Sequence, residues 1–153
     1  MKKILLNSFF ILLSISSAAQ SKLYYAKNEI KDILVGYIHN DTIYITDKNG
    51  QNPLQFGYID SLFVYYTFNR KAGDPILEIV SGTVYLYDSE DGAWGLPATI
   101  NNHKISSPFG QSAGTSIIGY SDNNDVKSLA ALVLIQIESW RNSNSPFYNN
   151  DKK

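Results

Sequence analysis

The sequence predicts an α+β fold, in which a mainly antiparallel β-sheet built from hairpins is followed by one C-terminal helix. Short runs of apolar, β-branched and aromatic residues occupy the chain from residue 22 to 88, and turn residues separate them. A helical repeat of apolar residues is found only after residue 125. The chain has 153 residues, 44% hydrophobic and 18% charged, which is typical of a single globular domain.

Residues 1–19 have the features of a secretory signal peptide. Two lysines follow Met1, residues 4–15 are mainly apolar, and Ala19 ends a run of small residues. The apolar stretch is about 12 residues, whereas a membrane-spanning helix needs roughly 20. We therefore expect cleavage after Ala19 and export of residues 20–153, to the periplasm or the medium, with no membrane span.

The charge balance and the lack of cysteine narrow the class of protein. The chain has 13 Lys and Arg against 14 Asp and Glu, and loss of the two leader lysines would leave 11 against 14, a net charge of −3. Without a basic excess to neutralise phosphates, we expect no nucleic-acid partner. The absence of Cys excludes disulfides and a lipid at the cleavage site, which favours a bacterial exported protein.

Two dipeptides predict tight hairpin turns, Asn40-Asp41 and Ser81-Gly82. Asn, Asp and Gly tolerate the positive φ that a two-residue hairpin loop requires. The strand runs on either side of these turns are 33–39 with 42–46, and 76–80 with 83–87.

A long aromatic run lies between the two hairpins, from residue 56 to 69. Gly57 and Asp60-Ser61 are expected to break this run into two strands. After residue 88 the composition changes to Gly, Ser, Pro, Asn and Ala, which predicts a long loop over 88–116. Short strands at 99–100 and 116–120 are the alternative within that loop.

Residues 125–141 form the helix candidate. Their apolar side chains follow helical spacing and would share one face, with Asp122 or Asp125 as the N-cap. The members of this face are Val126, Leu129, Ala130, Val133, Ile137 and Trp140. A buried strand over 132–137 stays open as the alternative, because that stretch is rich in β-branched residues. Residues 142–153 are polar and are expected to form a disordered tail.

We predict no catalytic residues from the sequence. Gly110-Gln111-Ser112-Ala113-Gly114 fits the G-x-S-x-G motif, but that motif needs a strand before it and a helix after it. Both histidines, His39 and His103, precede Ser112, contrary to the order of the α/β-hydrolases. Glu78 lies in the middle of a predicted strand, and spacing gives it no carboxylate partner for acid–base catalysis.

We predict neither a metal site nor a cofactor. Two histidines in separate segments and no cysteine are too few ligands for zinc. Residues 88–92 hold three carboxylates in one turn, but they lack the spacing and ligand number of a calcium loop. We expect this segment to be a hydrated acidic turn.

The remaining feature of the sequence that indicates a function is its content of aromatic residues. The chain has 11 Tyr, 7 Phe and 2 Trp, and strand alternation prevents Tyr65 and Tyr66 from both facing the core. Outward-facing tyrosines are typical of protein-binding surfaces, and an exposed loop Trp is a typical anchor for a partner. The candidate binding residues are therefore Trp94, Tyr65, Tyr85 and Tyr87.

We therefore expect a small, exported, non-enzymatic protein that recognises another protein, as an inhibitor or an immunity-type partner does. A glycan-binding or cell-envelope accessory module would use the same aromatic side chains. A serine hydrolase using Ser112 is a further alternative. Fold class does not choose among these functions, because one architecture hosts many of them.

Overall fold

The computed structural model describes residues 20–27, 31–47, 49–67, 74–108 and 116–141, without the side chains at 26–27, 31–32, 116 and 138–141. These ranges contain ten strands and one helix. The elements are β1 (Ser21–Lys27), β2 (Lys31–His39), β3 (Thr42–Ile45), β4 (Leu54–Asp60), β5 (Phe63–Tyr66), β6 (Leu77–Val80), β7 (Thr83–Asp88), β8 (Gly92–Asn101), β9 (Lys104–Ser107), β10 (Ser116–Ser121) and α1 (Val126–Arg141).

The ten strands form one closed antiparallel barrel. Each strand pairs with its neighbours along the chain, and β1 closes the ring by pairing with both β2 and β10. The predicted fold class is confirmed, because the chain is mainly antiparallel sheet made of hairpins and ends in one described helix. Closure of the sheet into a barrel is a finding of the structure.

Four two-residue hairpin loops lie at the end of the barrel where α1 begins. In three of them both residues have positive φ, which matches the right-handed twist of the flanking strands. These three are Asn40-Asp41, Ser81-Gly82 and Asn102-His103, and the fourth loop is Ser61-Leu62. The two hairpins predicted from sequence are therefore confirmed, and β4 and β5 are indeed two strands separated at Ser61-Leu62.

The helix α1 runs through the inside of the barrel. It packs against strands around the ring, namely β1, β2 and β5 to β10. All residues from 129 to 135 are buried, including Ile135, which is only 3% exposed and lies opposite the apolar face predicted from sequence. The helix prediction is confirmed. The expectation that only one face of this helix is buried is wrong, because the barrel wall surrounds the helix on every side.

Two glycines let the barrel wall approach this helix closely. A Cβ atom on Gly57 would lie 2.7 Å from Cδ2 of Leu134, and one on Gly119 would collide with Leu132. Any larger residue at these positions would force the leucine side chain or the neighbouring strand backbone to shift. The N-cap of α1 is Asp125, whose Oδ1 accepts a hydrogen bond from the backbone N–H of Ser128 at 2.6 Å.

The prediction of a long loop over 88–116 is wrong for most of that segment. β8 is the longest strand, with ten residues, and β9 pairs with it over 99–101. The Gly, Pro and Ala residues of β8 have low strand propensity, but pairing with β7 keeps this segment in the sheet. The pairing shifts register at a bulge, and Gly95 has a positive φ of 84°. The signal peptide, Ser112, the tail 142–153 and the side chain of Trp140 lie outside the described residues.

Candidate functional site

Seven aromatic side chains lie on the outer surface of β2, β3, β4, β5 and β7, and we call them the aromatic face. They alternate along these strands with residues that pack in the core, and each is only partly buried. Its members are Tyr37, Tyr44, Tyr58, Phe63, Tyr65, Tyr85 and Tyr87.

Two pairs of tyrosines stack across neighbouring strands of the aromatic face. The rings of Tyr37 and Tyr44 are 5.0 Å apart between centroids, at 21° between planes. Those of Tyr58 and Tyr65 are 4.9 Å apart at 12°. In each pair the two residues are direct partners in the strand register, so stacking follows from their position on the sheet.

A third ring contact crosses β6. Phe63 on β5 meets Tyr87 on β7 edge to face, with centroids 5.6 Å apart. Glu78 of β6 lies between these strands, paired with Phe63 on one side and Tyr85 on the other. Its Oε2 lies 3.6 Å from the position that a Cβ on Gly92 would take, so the carboxylate reaches towards the β7–β8 turn.

The neighbouring residues Tyr65 and Tyr66 point to opposite sides of the barrel wall. Tyr65 stacks outside with Tyr58, whereas the Tyr66 hydroxyl donates a hydrogen bond of 3.5 Å to the carbonyl of Leu134 on the internal helix. The expectation that these two residues cannot both face the core is confirmed.

The β7–β8 hairpin carries the most exposed large apolar side chains among the described residues. Trp94 is 58% exposed and Leu96 is 65% exposed. Trp94 is the register partner of Leu86, which packs against the core, so the indole belongs to a paired strand and not to the loop expected from sequence. We define the hairpin tip as residues 88–96.

The turn of the hairpin tip is acidic. Oδ1 of Asp88 accepts hydrogen bonds from the backbone N–H groups of Glu90 at 2.8 Å and of Asp91 at 3.2 Å, which stabilises the turn. Glu90 and Asp91 are exposed. Within the described ranges, no group of three or more His, Asp or Glu side chains is arranged to bind a metal ion.

The four binding residues predicted from sequence lie in one sector of the barrel, from β5 to β8. Tyr85 and Tyr87 share β7, next to the strand that carries Trp94, while Tyr65 lies on β5 across β6. Sequence reasoning did not assign Phe63 or Leu96 to the site, and it considered Glu78 only as a catalytic carboxylate. Phe63 and Leu96 each lie two residues from a predicted site residue, so a search at the strand period would have found them.

These features define a class: a closed ten-strand antiparallel barrel that is filled by its own C-terminal helix and carries aromatic side chains on its outer wall. Comparison with protein-family models, curated proteins and solved structures found no match to this chain. No helix among the described residues is long and apolar enough to cross a membrane. The chemistry of the aromatic face and of the hairpin tip is therefore the basis on which function is argued.

Proposed function

We propose that residues 20–153 form an exported, non-enzymatic binding protein that recognises another protein through the β7–β8 hairpin at the rim of the barrel and the adjoining outer surface of β5 to β7, as an inhibitor or an immunity-type partner does. The observation that carries this proposal is the exposure of Trp94 and Leu96, at 58% and 65%, in the β7–β8 hairpin, whose strand β7 also carries Tyr85 and Tyr87.

The filled interior of the barrel supports an outer binding surface. Many barrels hold a ligand inside, but here the side chains of residues 129–135 occupy that space and are buried against the strands. A partner of this barrel must then be recognised on the outer wall or at a rim.

The exposure of Trp94 is not explained by packing within the barrel. The stacked tyrosines of the aromatic face cover one another, and such pairs contribute about 0.5–1.5 kcal/mol each beyond area burial. Among the residues that the structure describes, Trp94 takes part in none of the ring contacts. Large aromatic side chains of this kind are the usual anchors of protein interfaces, because covering them with a partner removes much apolar surface from water.

Export is the first part of the proposal to test. The signal-peptide features of residues 1–19 predict that the N-terminus of the exported protein is Gln20. N-terminal sequencing of protein recovered outside the cytoplasm checks this. An intact Met1 in the membrane fraction would contradict the proposed export.

The binding surface is tested by affinity capture with residues 20–153 as bait, in wild-type, Trp94→Ala and Leu62→Ala forms. Leu62 is the matched control, since it is also exposed, at 54%, but lies in the β4–β5 turn. We expect one protein retained in stoichiometric amount, with binding weakened by about 1–4 kcal/mol for Trp94→Ala and unchanged for Leu62→Ala. Circular dichroism should show that both variants are folded. An equal affinity of wild type and Trp94→Ala would remove Trp94 from the binding surface.

A glycan-binding or cell-envelope accessory function is the second candidate. The exposed ring of Trp94 offers a flat face on which a sugar ring can stack. Isothermal titration with cell-envelope polysaccharides separates this function from the first. Saturable heat that is lost in Trp94→Ala, together with no retained protein, would favour the glycan.

A further inference from the structure

We propose that the partner presents a cationic surface, with Lys or Arg side chains that contact Trp94 and the carboxylates of the hairpin tip. This inference rests on the proposed protein-binding function and names the chemistry of its partner. It combines the exposed apolar side chains of the hairpin tip with the distribution of charge around the barrel.

Charge is distributed unevenly along the chain. The span from residue 49 to 103 has six carboxylates and two cationic side chains, Arg70 and Lys71, which gives 2 − 6 = −4. In the described parts of that span, 49–67 and 74–103, every Asp, Glu, Lys or Arg side chain is acidic. The carboxylates are Asp60, Asp74, Glu78, Asp88, Glu90 and Asp91.

The described lysine side chains lie elsewhere on the barrel. Lys22 is at the start of β1, Lys104 at the start of β9 and Lys127 in the first turn of α1, all at the end of the barrel where the helix begins. Lys127 is paired with Asp41 in the β2–β3 turn. The hairpin tip is at the opposite end, so these three lysines do not neutralise its carboxylates. Lys27 and Lys31 lie where β1 and β2 meet at the hairpin-tip end, and their side chains are outside the described residues.

The hairpin tip brings an exposed indole and carboxylates within one short segment. Glu90 and Asp91 precede Trp94 by four and three residues, all three side chains are exposed, and Glu78 reaches towards Gly92 between them. A guanidinium or ammonium group placed over an indole ring is stabilised by the cation–π interaction. Nearby carboxylates add ion pairs, which steer the approach of a basic protein and fix its orientation.

The same charges disfavour the other occupants of this surface. A second copy of the chain would bring two acidic hairpin tips together, and like charges across an interface are repulsive. An acidic glycan would be repelled in the same way, and a neutral glycan can donate hydroxyl hydrogen bonds to the carboxylates but has no positive charge to form ion pairs with them. A basic protein surface would supply cations both for the indole ring and for ion pairs with the carboxylates.

The test is an NMR titration of ¹⁵N-labelled residues 20–153 with two peptides, Gly-Arg-Gly-Arg-Gly-Arg-Gly and Gly-Glu-Gly-Glu-Gly-Glu-Gly. We expect the arginine peptide to shift the Trp94 indole N–H and the backbone signals of residues 88–96, and the glutamate peptide to leave them in place. The apparent affinity should fall at least threefold between about 50 mM and 300 mM salt, because exposed charges are screened. The Trp94 indole signal is assigned by its loss in Trp94→Phe.

Charge variants locate the site. Replacing Glu90 and Asp91 together, with Glu90→Gln and Asp91→Asn, should weaken binding of the arginine peptide at least threefold. Asp60→Asn is the matched control, since it removes an exposed carboxylate at the other end of the barrel and should leave the affinity unchanged. Equal binding of both peptides, shifts confined to other residues, or an unchanged affinity in the double variant would each overturn the inference.

Failure of this inference is distinguishable from failure of the proposed function. A captured protein whose binding depends on Trp94, but is insensitive to salt and to the double variant, would overturn the cationic partner and leave the binding function standing. No captured protein, together with saturable binding to a polysaccharide, would overturn the protein-binding function itself.

Discussion

Replacing Ile135 by Ala tests the central feature of the fold, which is a helix buried on every side. Ile135 is 3% exposed and lies on the side of α1 opposite the apolar face that the sequence predicts. A surface helix would present this residue to water. The structure instead packs it against the inside of the barrel wall.

The two arrangements predict effects of opposite sign. On a solvated helix face, Ile135→Ala would stabilise the protein by a few tenths of a kcal/mol, because Ala has the higher helix propensity. In the barrel, the substitution removes three buried carbons, worth about 2.4 kcal/mol at 0.8 kcal/mol each, and leaves a cavity. Allowing for propensity, we expect the free energy of unfolding to fall by about 2.5–4.5 kcal/mol.

Guanidinium unfolding followed by far-UV circular dichroism measures this change. Ile117→Ala is the matched control, because Ile117 is 45% exposed on β10 and its replacement should cost less than about 1 kcal/mol. A loss below 1 kcal/mol for Ile135→Ala, or any gain, would refute the placement of the helix inside the barrel. A domain of this kind has roughly 5–15 kcal/mol of stability, so the expected loss is measurable without unfolding the variant.

Three further substitutions test local features of the barrel and its helix. Gly57→Ala would place a Cβ 2.5 Å from the carbonyl oxygen of Tyr65 and 2.7 Å from Cδ2 of Leu134. This overpacking should lower the free energy of unfolding, measured by chemical denaturation, by about 1–3 kcal/mol, and an unchanged free energy would contradict the close approach. Ser128→Ala should raise the free energy of unfolding by about 0.5–1.5 kcal/mol, because the Ser128 hydroxyl is buried without a hydrogen-bond partner among the described residues, and a measured decrease would count against this. Asp125→Ala should lower the melting temperature through loss of the N-cap, worth about 1 kcal/mol, whereas Asp125→Asn should retain most of the stability.

The parts of the fold that sequence predicts are those with local causes. The Asn40-Asp41 turn was predictable because positive φ is a property of those two residue types, and the structure has φ of 47° and 59° there. The helix was predictable from residue spacing, and Asp125 was one of two candidate caps.

The parts that sequence does not predict depend on distant residues. β8 has a composition typical of a loop, and only its pairing with β7 makes it a strand. Barrel closure depends on β1 meeting β10, for example Leu23 opposite Ser121, almost the whole domain apart in sequence. Burial of the helix on all sides follows from that closure, so periodicity alone indicates one apolar face.

The candidate site also has features that the sequence predicts and features that depend on distant residues. Alternation predicts that some tyrosines face outward, and the structure places Tyr65 there. The approach of Glu78 to Gly92 across β7 is a long-range consequence of the barrel's shape, and no spacing rule indicates it.

Exposed aromatic residues differ in how strongly they argue for binding. Tyr37, Tyr44, Tyr58 and Tyr65 form stacked pairs between neighbouring strands, and this contribution to stability is a sufficient reason for them to be present. Trp94 has more than half of its surface in water, and pairing with Leu86 fixes its backbone without covering its ring. None of the ring contacts among the described residues therefore gives an energetic reason for a tryptophan at this position. For this reason, the variants of the hairpin tip test function more sharply than variants of the stacked tyrosines, whose loss would mix stability with binding.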